Sequence, residues 1–399
     1  MARKDTARPG EAALDAIGIA TARLDPPLAA LHLPSLRANL ADLRRRAGGT
    51  RIRLASKSIR CRGVLVEALG AGLRGDDGVR GVMAYSLSEA LWLVGHGCDD
   101  VLLGYPTVDA SALARLGADP AALGAVTLMV DDVRQLEIAH EAGAVGARVC
   151  VDVDASLRWG PLHLGVRRSP LRGPAEVRPL ARRAVDLGFR VVGVMFYEAQ
   201  VAGVPDDVRG IRLVKRASLR RLLGLREEVA ATVADVTGER PEIVNSGGSG
   251  SVAESASDPA VTEVTAGSGL YVPGLFDHYR SFTPRPSLFF ALPAVRTPAP
   301  GHTTFLYGGY TASGVPGWDR LPVPARPTGL RYLPREGAGE VQTPVRGEVP
   351  IGGRAWWRHA KAGELCERFD VLHVVDDDGD GPRVVDTWPT YRGEGKCFG

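Results

Sequence analysis

The segment RIRLASKS (residues 51–58) is the stretch of this chain from which both fold and chemistry are best argued. Its residues alternate in polarity up to position 55, a period of two that is typical of a strand, and Lys57 follows at the strand end. The chain has 49 basic residues, but only five are lysines, at positions 4, 57, 215, 361 and 396. A lysine kept in an arginine-rich chain suggests chemistry that a guanidinium cannot perform, because only an amine loses its proton and condenses with a carbonyl. A surface lysine at a strand end is the alternative interpretation.

Strand-like and helical patterns alternate from this segment onward. Together with 51–56, strands are predicted at 81–85, 101–104, 126–130, 147–153, 191–196, 242–245 and 261–266. Helical patterns lie between them at 63–71, 88–95, 131–142, 175–187 and 210–236. Strands and helices alternating over roughly 230 residues predict an α/β fold with a (β/α)8 barrel. A doubly wound parallel sheet is the structural alternative.

The pattern changes after about residue 285, where prolines become frequent and helical periodicity ends. Short strand-like runs at 288–292, 303–307, 369–375 and 384–387 are separated by glycine and proline turns, which indicates an all-β domain. We therefore predict a barrel over 28–285 and a β domain over 286–399. Residues 1–27 are predicted to be irregular or to add a strand to the β domain.

Composition excludes several classes of function. A net charge of +3 with scattered basic residues gives no support to nucleic-acid binding. No apolar leader segment and no run of about 18 apolar residues is present, so we expect a cytoplasmic protein without a membrane partner. The five cysteines are widely spaced without a CxxC pair, and we interpret them as reduced thiols.

Two glycine- and serine-rich loops follow the last two predicted barrel strands, SGGSGS at 246–251 and AGSG at 266–269. Barrel enzymes often bind phosphate in the loops after strands seven and eight, where glycine lets backbone N–H groups approach an anion. One such run is ordinarily only a loop, but two at these places favour a phosphate site. With Lys57 they predict an aldehyde cofactor held by a phosphate, pyridoxal 5′-phosphate. A barrel that binds phosphate-bearing substrates without this cofactor is the alternative.

A family resemblance rests on motifs that occur in order along nearly the whole chain: LASKS at 54–58, VDVD at 151–154 followed by Arg158, MFYE at 195–198, the SGGSGS loop, and the region of Cys366. The chain resembles the fold-type III pyridoxal-phosphate enzymes, in which an alanine racemase-like barrel is joined to a β domain. Within them it is most similar to the D-threonine aldolase and D-serine dehydratase branch (amino acid deaminase/aldolase).

The resemblance implies roles for particular residues. Lys57 would bind the cofactor aldehyde and act as a base at the substrate Cα. Arg158 would lie near the O3′ side of the cofactor, and Tyr197 near its ring; a surface arginine and a barrel-core aromatic are the alternatives. Gln200 stands where relatives often have histidine. A glutamine side chain does not exchange protons, so the acid–base role of that position is in doubt in this chain. The implied phosphate ligands are Ser246, Gly247, Gly248, Ser249, Gly250, Gly267 and Ser268.

The same branch carries a divalent metal bound by a His-x-Cys or His-x-Asp pair in the β domain, and this chain departs from that pattern. Glu364 and Cys366 have the spacing, but glutamate replaces histidine, and His359 lies five residues upstream. We predict His359, Glu364 and Cys366 as ligands of Mn²⁺, Mg²⁺ or Zn²⁺, with a plain buried cysteine as the alternative. The nearby acidic run at 377–380 is interpreted as a solvated turn.

The function implied is a lyase that cleaves D-β-hydroxy-α-amino acids to glycine and an aldehyde, as D-threonine aldolase does. A dehydratase that releases a keto acid and ammonia, an amino-acid racemase, and a non-catalytic pyridoxal-phosphate carrier are the alternatives. The expected partner is a small amino-acid substrate. The resemblance also implies a head-to-tail homodimer.

Overall fold

The computed structural model describes residues 10–160, 162–204, 209–279, 282–283 and 285–399. These residues form two compact units, which we call the β unit and the barrel unit. The β unit takes in the described residues up to Ala41 with Ser58–Val64 and Ser268–Cys397. The barrel unit takes in Asp42–Lys57, Leu65–Gly267 and Phe398–Gly399.

The described helices and strands are numbered in chain order. The helices are α1 Glu11–Ala20, α2 Leu33–Ala47, α3 Arg62–Leu69, α4 Leu87–Gly95, α5 Ala110–Ala118, α6 Pro120–Ala125, α7 Val133–Glu141, α8 Pro174–Asp186, α9 Ala199–Ala202, α10 Arg209–Thr237, α11 Val252–Ala256 and α12 Ser268–Tyr271. The strands are β1 Leu28–His32, β2 Arg51–Ala55, β3 Val79–Ala84, β4 Val101–Pro106, β5 Val126–Val130, β6 Arg148–Val153, β7 Leu157–Trp159, β8 Leu162–Leu164, β9 Arg190–Phe196, β10 Ile243–Ser246, β11 Glu263–Ala266, β12 Leu288–Arg296, β13 His302–Leu306, β14 Val323–Arg326, β15 Arg331–Tyr332, β16 Gln342–Arg346, β17 Arg354–Arg358, β18 Val371–Asp376 and β19 Arg383–Pro389. None of the described helices has the length and apolar character needed to cross a membrane.

The barrel unit is a closed ring of parallel strands in the order β2-β3-β4-β5-β6-β9-β10-β11. The ring closes where β11 pairs with β2, with Glu263 opposite Arg51. The eight strands predicted from sequence and the barrel are thereby confirmed, and closure excludes a doubly wound sheet. The prediction missed helices α5 and α6 and the β7–β8 hairpin, because alanine-rich and short segments carry weak periodicity.

A buried ion-pair network fills the amino-terminal end of the barrel. Arg53 on β2 is fully buried and donates through Nε to Glu263 Oε1 at 2.6 Å and through Nη1 to Asp100 Oδ1 at 2.7 Å. Asn245 on β10 donates to Glu263 Oε1 at 2.7 Å. Although burial opposes ionisation, the charge of Arg53 lowers the pKa of Glu263, so both side chains stay charged.

The β unit is built on a nine-stranded sheet with the order β15-β16-β13-β12-β1-β18-β19, while β17 pairs with β12 and β14. Helix α1 lies within residues 1–27, for which the sequence predicted an irregular segment or a strand and not a helix. Its buried side chains, Ala13, Leu14, Ala16 and Ile17, form a cluster with residues of the sheet such as Phe289 and Trp356. Residues 1–9 of the predicted 1–27 segment lie outside the described residues.

The N-terminal strand of the β sheet is β1, which our sequence boundaries placed in the barrel. It pairs antiparallel with β12 and parallel with β18, and all five of its residues are buried. A run buried on both faces has no polar alternation, so its sequence alone does not tell which sheet it joins. At the other boundary the β unit begins at Ser268, earlier than the predicted residue 286.

Candidate active site

Lys57 lies in a single 3-10 turn, Ser56–Ser58, directly after β2. Its Nζ donates to the hydroxyl of Tyr105 at 2.7 Å and stands 5.2 Å from the centre of that ring. The ring of Tyr197 is 5.8 Å from the same Nζ. Tyr105 is the next-to-last residue of β4 and Tyr197 follows β9, so three strand ends bring an amine and two phenols together. The carboxyl ends of barrel strands are where barrel enzymes place catalytic groups.

Arg168 joins this group from the loop that follows β8. Its guanidinium carbon is 4.9 Å from the Tyr105 ring centre and 5.4 Å from that of Tyr197. Nη2 donates to the carbonyl of Gly104 at 2.7 Å and lies 3.1 Å from Asp152 Oδ2. Burial raises the pKa of Asp152 to about 6, although the charge of Arg168 acts in the opposite direction. Arg168 thus carries a permanent positive charge beside both tyrosines, held by a carboxylate that titrates close to neutral pH.

Arg158, the arginine implied by the resemblance, lies elsewhere in the barrel unit. It is on β7 of the β7–β8 hairpin, and its side chain is 42% exposed. Its Nη2 lies 3.3 Å from Oδ2 of the buried Asp154. Contacts with the two tyrosine rings are made by Arg168 instead.

Gln200 is buried on the short helix α9, just after Tyr197. Its Nε2 donates to the carbonyl of Ala155 at 2.7 Å, and its Oε1 has no hydrogen-bond partner among the described residues. A buried amide oxygen without a donor is uncommon in folded proteins.

The first predicted phosphate loop is anchored by Glu198, a fully buried carboxylate. Its Oε2 accepts from Ser246 Oγ at 2.8 Å and from the amide of Gly247 at 3.1 Å. Its Oε1 accepts from Ser251 Oγ at 3.1 Å and from Ser255 Oγ. Ser246 and Gly247 therefore use these donors to hold the loop in place.

The remaining phosphate candidates lie along the same loop and the next one. Gly247 has φ +92°, a backbone conformation that favours glycine, and a Cβ on Gly248 would stand 2.7 Å from that of Ala202. Ser249 Oγ accepts from the amide of Gly267 at 3.3 Å, which ties the two loops of the barrel unit together. Gly250 is buried in the same turn, and Ser268 begins α12 in the β unit.

The structure does not bring the three predicted metal ligands together. We compared the ligand atoms of the described histidine, cysteine, aspartate and glutamate side chains. Three of them lie within 4.8 Å of one another at Asp376, Asp377 and Asp378, and not at the predicted ligands. Glu364 is partly exposed and accepts from the amide of Ser313 at 2.8 Å. Cys366 is buried, with its Sγ 3.9 Å from the hydroxyl of Tyr271.

His359 is buried too, and neither ring nitrogen has a hydrogen-bond partner among the described residues. Burial lowers its pKa to about 3, so it is neutral at physiological pH. Glu364 and Cys366 diverge because they lie two residues apart on a 3-10 turn, Glu364–Glu367, which directs alternate side chains to different sides.

Three residues of this site were missed from sequence: Tyr105, Arg168 and Glu198. Tyr105 follows the predicted strand 101–104 and Glu198 lies two residues after β9, so the strand-end rule applied to every polar or aromatic residue would have selected them. Arg168 has no such signal, because its loop position becomes meaningful only when the chain is folded.

Comparison with known proteins supports the fold. No family model matches the chain. Among curated proteins, D-threonine aldolase of Arthrobacter sp. is 25% identical over 260 residues, which are 63% of this chain and 62% of that protein. The chain therefore aligns with less than two thirds of the length of this relative.

Solved structures match more of the chain at lower identity. D-threonine aldolase from Filomicrobium marinum superposes with a TM-score of 0.75 and 21% identity over 93% of this chain and 96% of that one. D-threo-3-hydroxyaspartate dehydratase from Delftia sp. HT23 gives a TM-score of 0.69 and 17% identity over 93% and 98%. The chain has the alanine racemase-like fold of the fold-type III pyridoxal-phosphate enzymes.

Proposed function

We propose that this protein is a pyridoxal-phosphate-dependent lyase acting on D-β-hydroxy-α-amino acids, of the D-threonine aldolase type. The observation that carries the proposal is the Lys57 amine, which lies at the carboxyl end of the first barrel strand against Tyr105 and Tyr197. The aldolase names of the Arthrobacter and Filomicrobium proteins point to the same chemistry.

The residues present fit pyridoxal phosphate. Lys57 would hold the cofactor through its amine, and Arg168 supplies a cation beside the two phenol rings. The turn at 248–250 and Gly267 are the proposed phosphate ligands, because Ser246 and Gly247 already donate to Glu198, and Gly248 on that turn has no room for a Cβ. When bound, the cofactor supplies an electron sink for the bond that breaks at the substrate Cα.

Lys57 is the proposed proton carrier of the reaction. With the cofactor bound, the Nζ of Lys57 would take or return a proton at the substrate. Tyr105, 2.7 Å from Nζ, directs that amine, and Arg168 attracts the substrate carboxylate or the negative oxygen of the cofactor. The Asp152 carboxylate orients Arg168 by its ion pair at 3.1 Å.

We assign no step to a metal ion. The donors of His359, Glu364 and Cys366 do not converge among the described residues, so the metal pair of the related branch does not fit here. Proton transfer is accordingly assigned to protein side chains alone.

A dehydratase is the second candidate, because a D-threo-3-hydroxyaspartate dehydratase shares the fold with a comparable TM-score of 0.69. In that reaction Lys57 removes the Cα proton, the β-hydroxyl leaves as water, and hydrolysis of the product gives a keto acid and ammonia. In the aldolase reaction the hydroxyl proton is removed, the Cα–Cβ bond breaks, and the Cα is reprotonated to give glycine.

D-Threonine separates these reactions in one assay. Acetaldehyde with equimolar glycine supports the aldolase, 2-oxobutanoate with ammonia supports the dehydratase, and L-allo-threonine alone would indicate a racemase, because only the Cα centre is inverted. Recovery of unchanged D-threonine, D-serine and D-threo-3-hydroxyaspartate after incubation with the cofactor-loaded protein would refute a lyase.

Borohydride reduction tests the cofactor itself. Reduction of the loaded protein should leave a pyridoxyl adduct on the peptide that contains Lys57, seen by mass spectrometry. Lys57→Ala should lose the adduct, whereas Lys215→Ala, a lysine on α10, should retain it. An adduct spread over several lysines, with none enriched at Lys57, would contradict the assignment.

The proposed homodimer is tested separately. We expect sedimentation velocity to give about twice the monomer mass at micromolar concentration, and a stable monomer with full activity would contradict it.

A further inference from the structure

A polar cavity opens at the amino-terminal end of the barrel. Its volume is about 290 Å³. That is close to the lower limit, about 300 Å³, of pockets that hold small molecules. The residues that line it all belong to the barrel unit. Arg51 begins β2 on this side, whereas Lys57 follows the other end of the same strand. A strand of five residues is about 16 Å long, so the cavity is separate from the candidate active site.

The floor and one wall of the cavity consist of charged groups that already pair with one another. Arg53 donates to Glu263 and Asp100 through all three of its guanidinium nitrogens. Across the ring, Arg148 at the start of β6 lies 2.8 Å from Glu242, which precedes β10. These side chains shape the cavity and are not its free binding groups.

Two other guanidinium groups retain unused donors. Nε of Arg51 is buried and has no hydrogen-bond partner among the described residues, while Nη2 of the same side chain lies 2.7 Å from Glu263 Oε2. Arg80 on the neighbouring strand β3 is exposed, and it makes neither a hydrogen bond nor an ion pair with the part of the chain that the structure describes. Guanidinium N–H groups form their strongest hydrogen bonds with carboxylates and phosphates, so this side of the cavity favours an anionic group.

The next strand in the ring supplies an unused acceptor. Asp99 lies two residues before β4, which pairs with β3. Its side chain is 44% exposed, and its ion pair with Nε of Arg74 is 3.9 Å long, beyond hydrogen-bond distance. Gly124, two residues before β5, leaves the adjoining rim open because it has no side chain. This side of the cavity favours an ammonium group.

The balance of charge favours a ligand that carries both groups. Four arginines surround the cavity, and four carboxylates balance them: Arg51, Arg53, Arg80 and Arg148 with Asp99, Asp100, Glu242 and Glu263. A bare anion or a bare cation would add a net charge to this balanced set, whereas a zwitterion adds none.

We propose that this cavity binds a small zwitterionic α-amino acid, with its carboxylate on Arg51 and Arg80 and its ammonium group on Asp99. The two charged groups of an α-amino acid are attached to one carbon, which matches donors and an acceptor at adjacent strand ends. The inference does not depend on the proposed lyase activity.

The experiment uses the full chain, loaded with its cofactor, and N,N-dimethylglycine as the probe. This molecule is a zwitterion whose tertiary amine cannot condense with an aldehyde, so it does not react with the cofactor. Saturation-transfer difference NMR measures its binding. We expect saturable binding of dimethylglycine, with acetate and trimethylammonium each bound about tenfold more weakly or less, because each lacks one of the two charged contacts.

Matched variants locate the site. Arg80→Gln and Asp99→Asn should each weaken binding of the probe by about tenfold or more. Arg178→Gln and Asp235→Asn remove the same charges from an exposed ion pair of α8 and α10, so they should bind it as the wild type does. Arg168→Ala, which alters the candidate active site, should also leave this binding unchanged. Unfolding temperatures equal to that of the wild type would show that the variants fold.

Several results would overturn the proposal. They are the absence of saturable dimethylglycine binding, acetate or trimethylammonium binding as tight as that of dimethylglycine, wild-type affinity in Arg80→Gln, and loss of binding in Arg168→Ala. The comparison of the three probes needs no variant, so it tests the proposal even where a substitution disturbs folding.

Discussion

Replacing Glu198 tests whether one buried carboxylate holds the proposed phosphate loop. In Glu198→Ala, four donors lose their acceptor. Ser246 Oγ and Ser251 Oγ have second acceptors in the carbonyls of Phe196 and Gly248, at 2.9 and 3.5 Å. For the Gly247 amide and the Ser255 hydroxyl, no second acceptor is found among the described residues.

The two donors without a second acceptor set the expected magnitude. A buried donor left unsatisfied costs about 1–3 kcal/mol, so Glu198→Ala should lower the free energy of unfolding by about 2–6 kcal/mol. Glu198→Gln should cost much less. Its amide oxygen can keep the Gly247 N–H, and its nitrogen can donate to the oxygens of Ser251 and Ser255, since hydroxyl groups also accept.

Urea unfolding and hydrogen exchange provide the readouts. The peptide that covers β10 and α11 should exchange faster in Glu198→Ala, because the Gly247 amide is no longer bonded. Glu227→Gln is the control, since Glu227 is exposed and pairs with the exposed Arg240; it should cost less than about 1 kcal/mol. Equal losses in Glu198→Gln and Glu198→Ala, or no change in exchange, would refute the reasoning.

Three further predictions concern the barrel. Arg53→Met should lower the free energy of unfolding by about 3–5 kcal/mol, because the buried Glu263 then keeps the partly exposed Arg51 but loses its buried cation, and adding Glu263→Gln should recover part of this in urea titrations. Arg168→Ala should reduce the turnover of D-threonine by about 100-fold, because Arg168 contacts the tyrosines beside Lys57. Arg158→Ala should reduce it much less. Steady-state kinetics that rank the two variants the other way would be contrary evidence. The raised pKa of Asp152, about 6 against an ordinary 3.8, means that its favourable contribution to folding is complete below pH 4 and is lost as pH rises through 6. Asp152→Asn should therefore remove about 3 kcal/mol of pH dependence from the free energy of unfolding between these values, and an unchanged pH profile would contradict the burial effect.

The sequence was sufficient for the barrel because its signals are local. Apolar alternation and β-branched runs predict each strand from its own residues, and all eight barrel strands agree with the structure within a few residues. The strand-end rule then placed Lys57, Tyr197 and the loop at 246–251 on one face of the barrel without reference to any neighbour.

The parts of the site that sequence could not predict depend on contacts between distant segments. Arg168 reaches Tyr105 across 63 positions of the chain, and neither residue carries a local sign of the other. Glu198 collects donors from Ser246, Gly247, Ser251 and Ser255, a set assembled only when β9 and β10 pair.

Spacing in sequence was misleading for the predicted metal ligands. Glu364 and Cys366 are two residues apart, as in a ligand pair, but the turn between them sends one side chain toward Ser313 and the other toward Tyr271. Arg51 and Asp99 are 48 positions apart and line one cavity because β2, β3 and β4 pair side by side.

Sequence by itself thus determined the barrel, the lysine at its first strand and the glycine-rich turns, since each depends on neighbours along the chain. Only the tertiary structure decided which arginine lies beside that lysine, what holds the phosphate loop, and where ligand atoms converge. The physical reason is that backbone periodicity is encoded locally, whereas the meeting of side chains is set by how the strands pair.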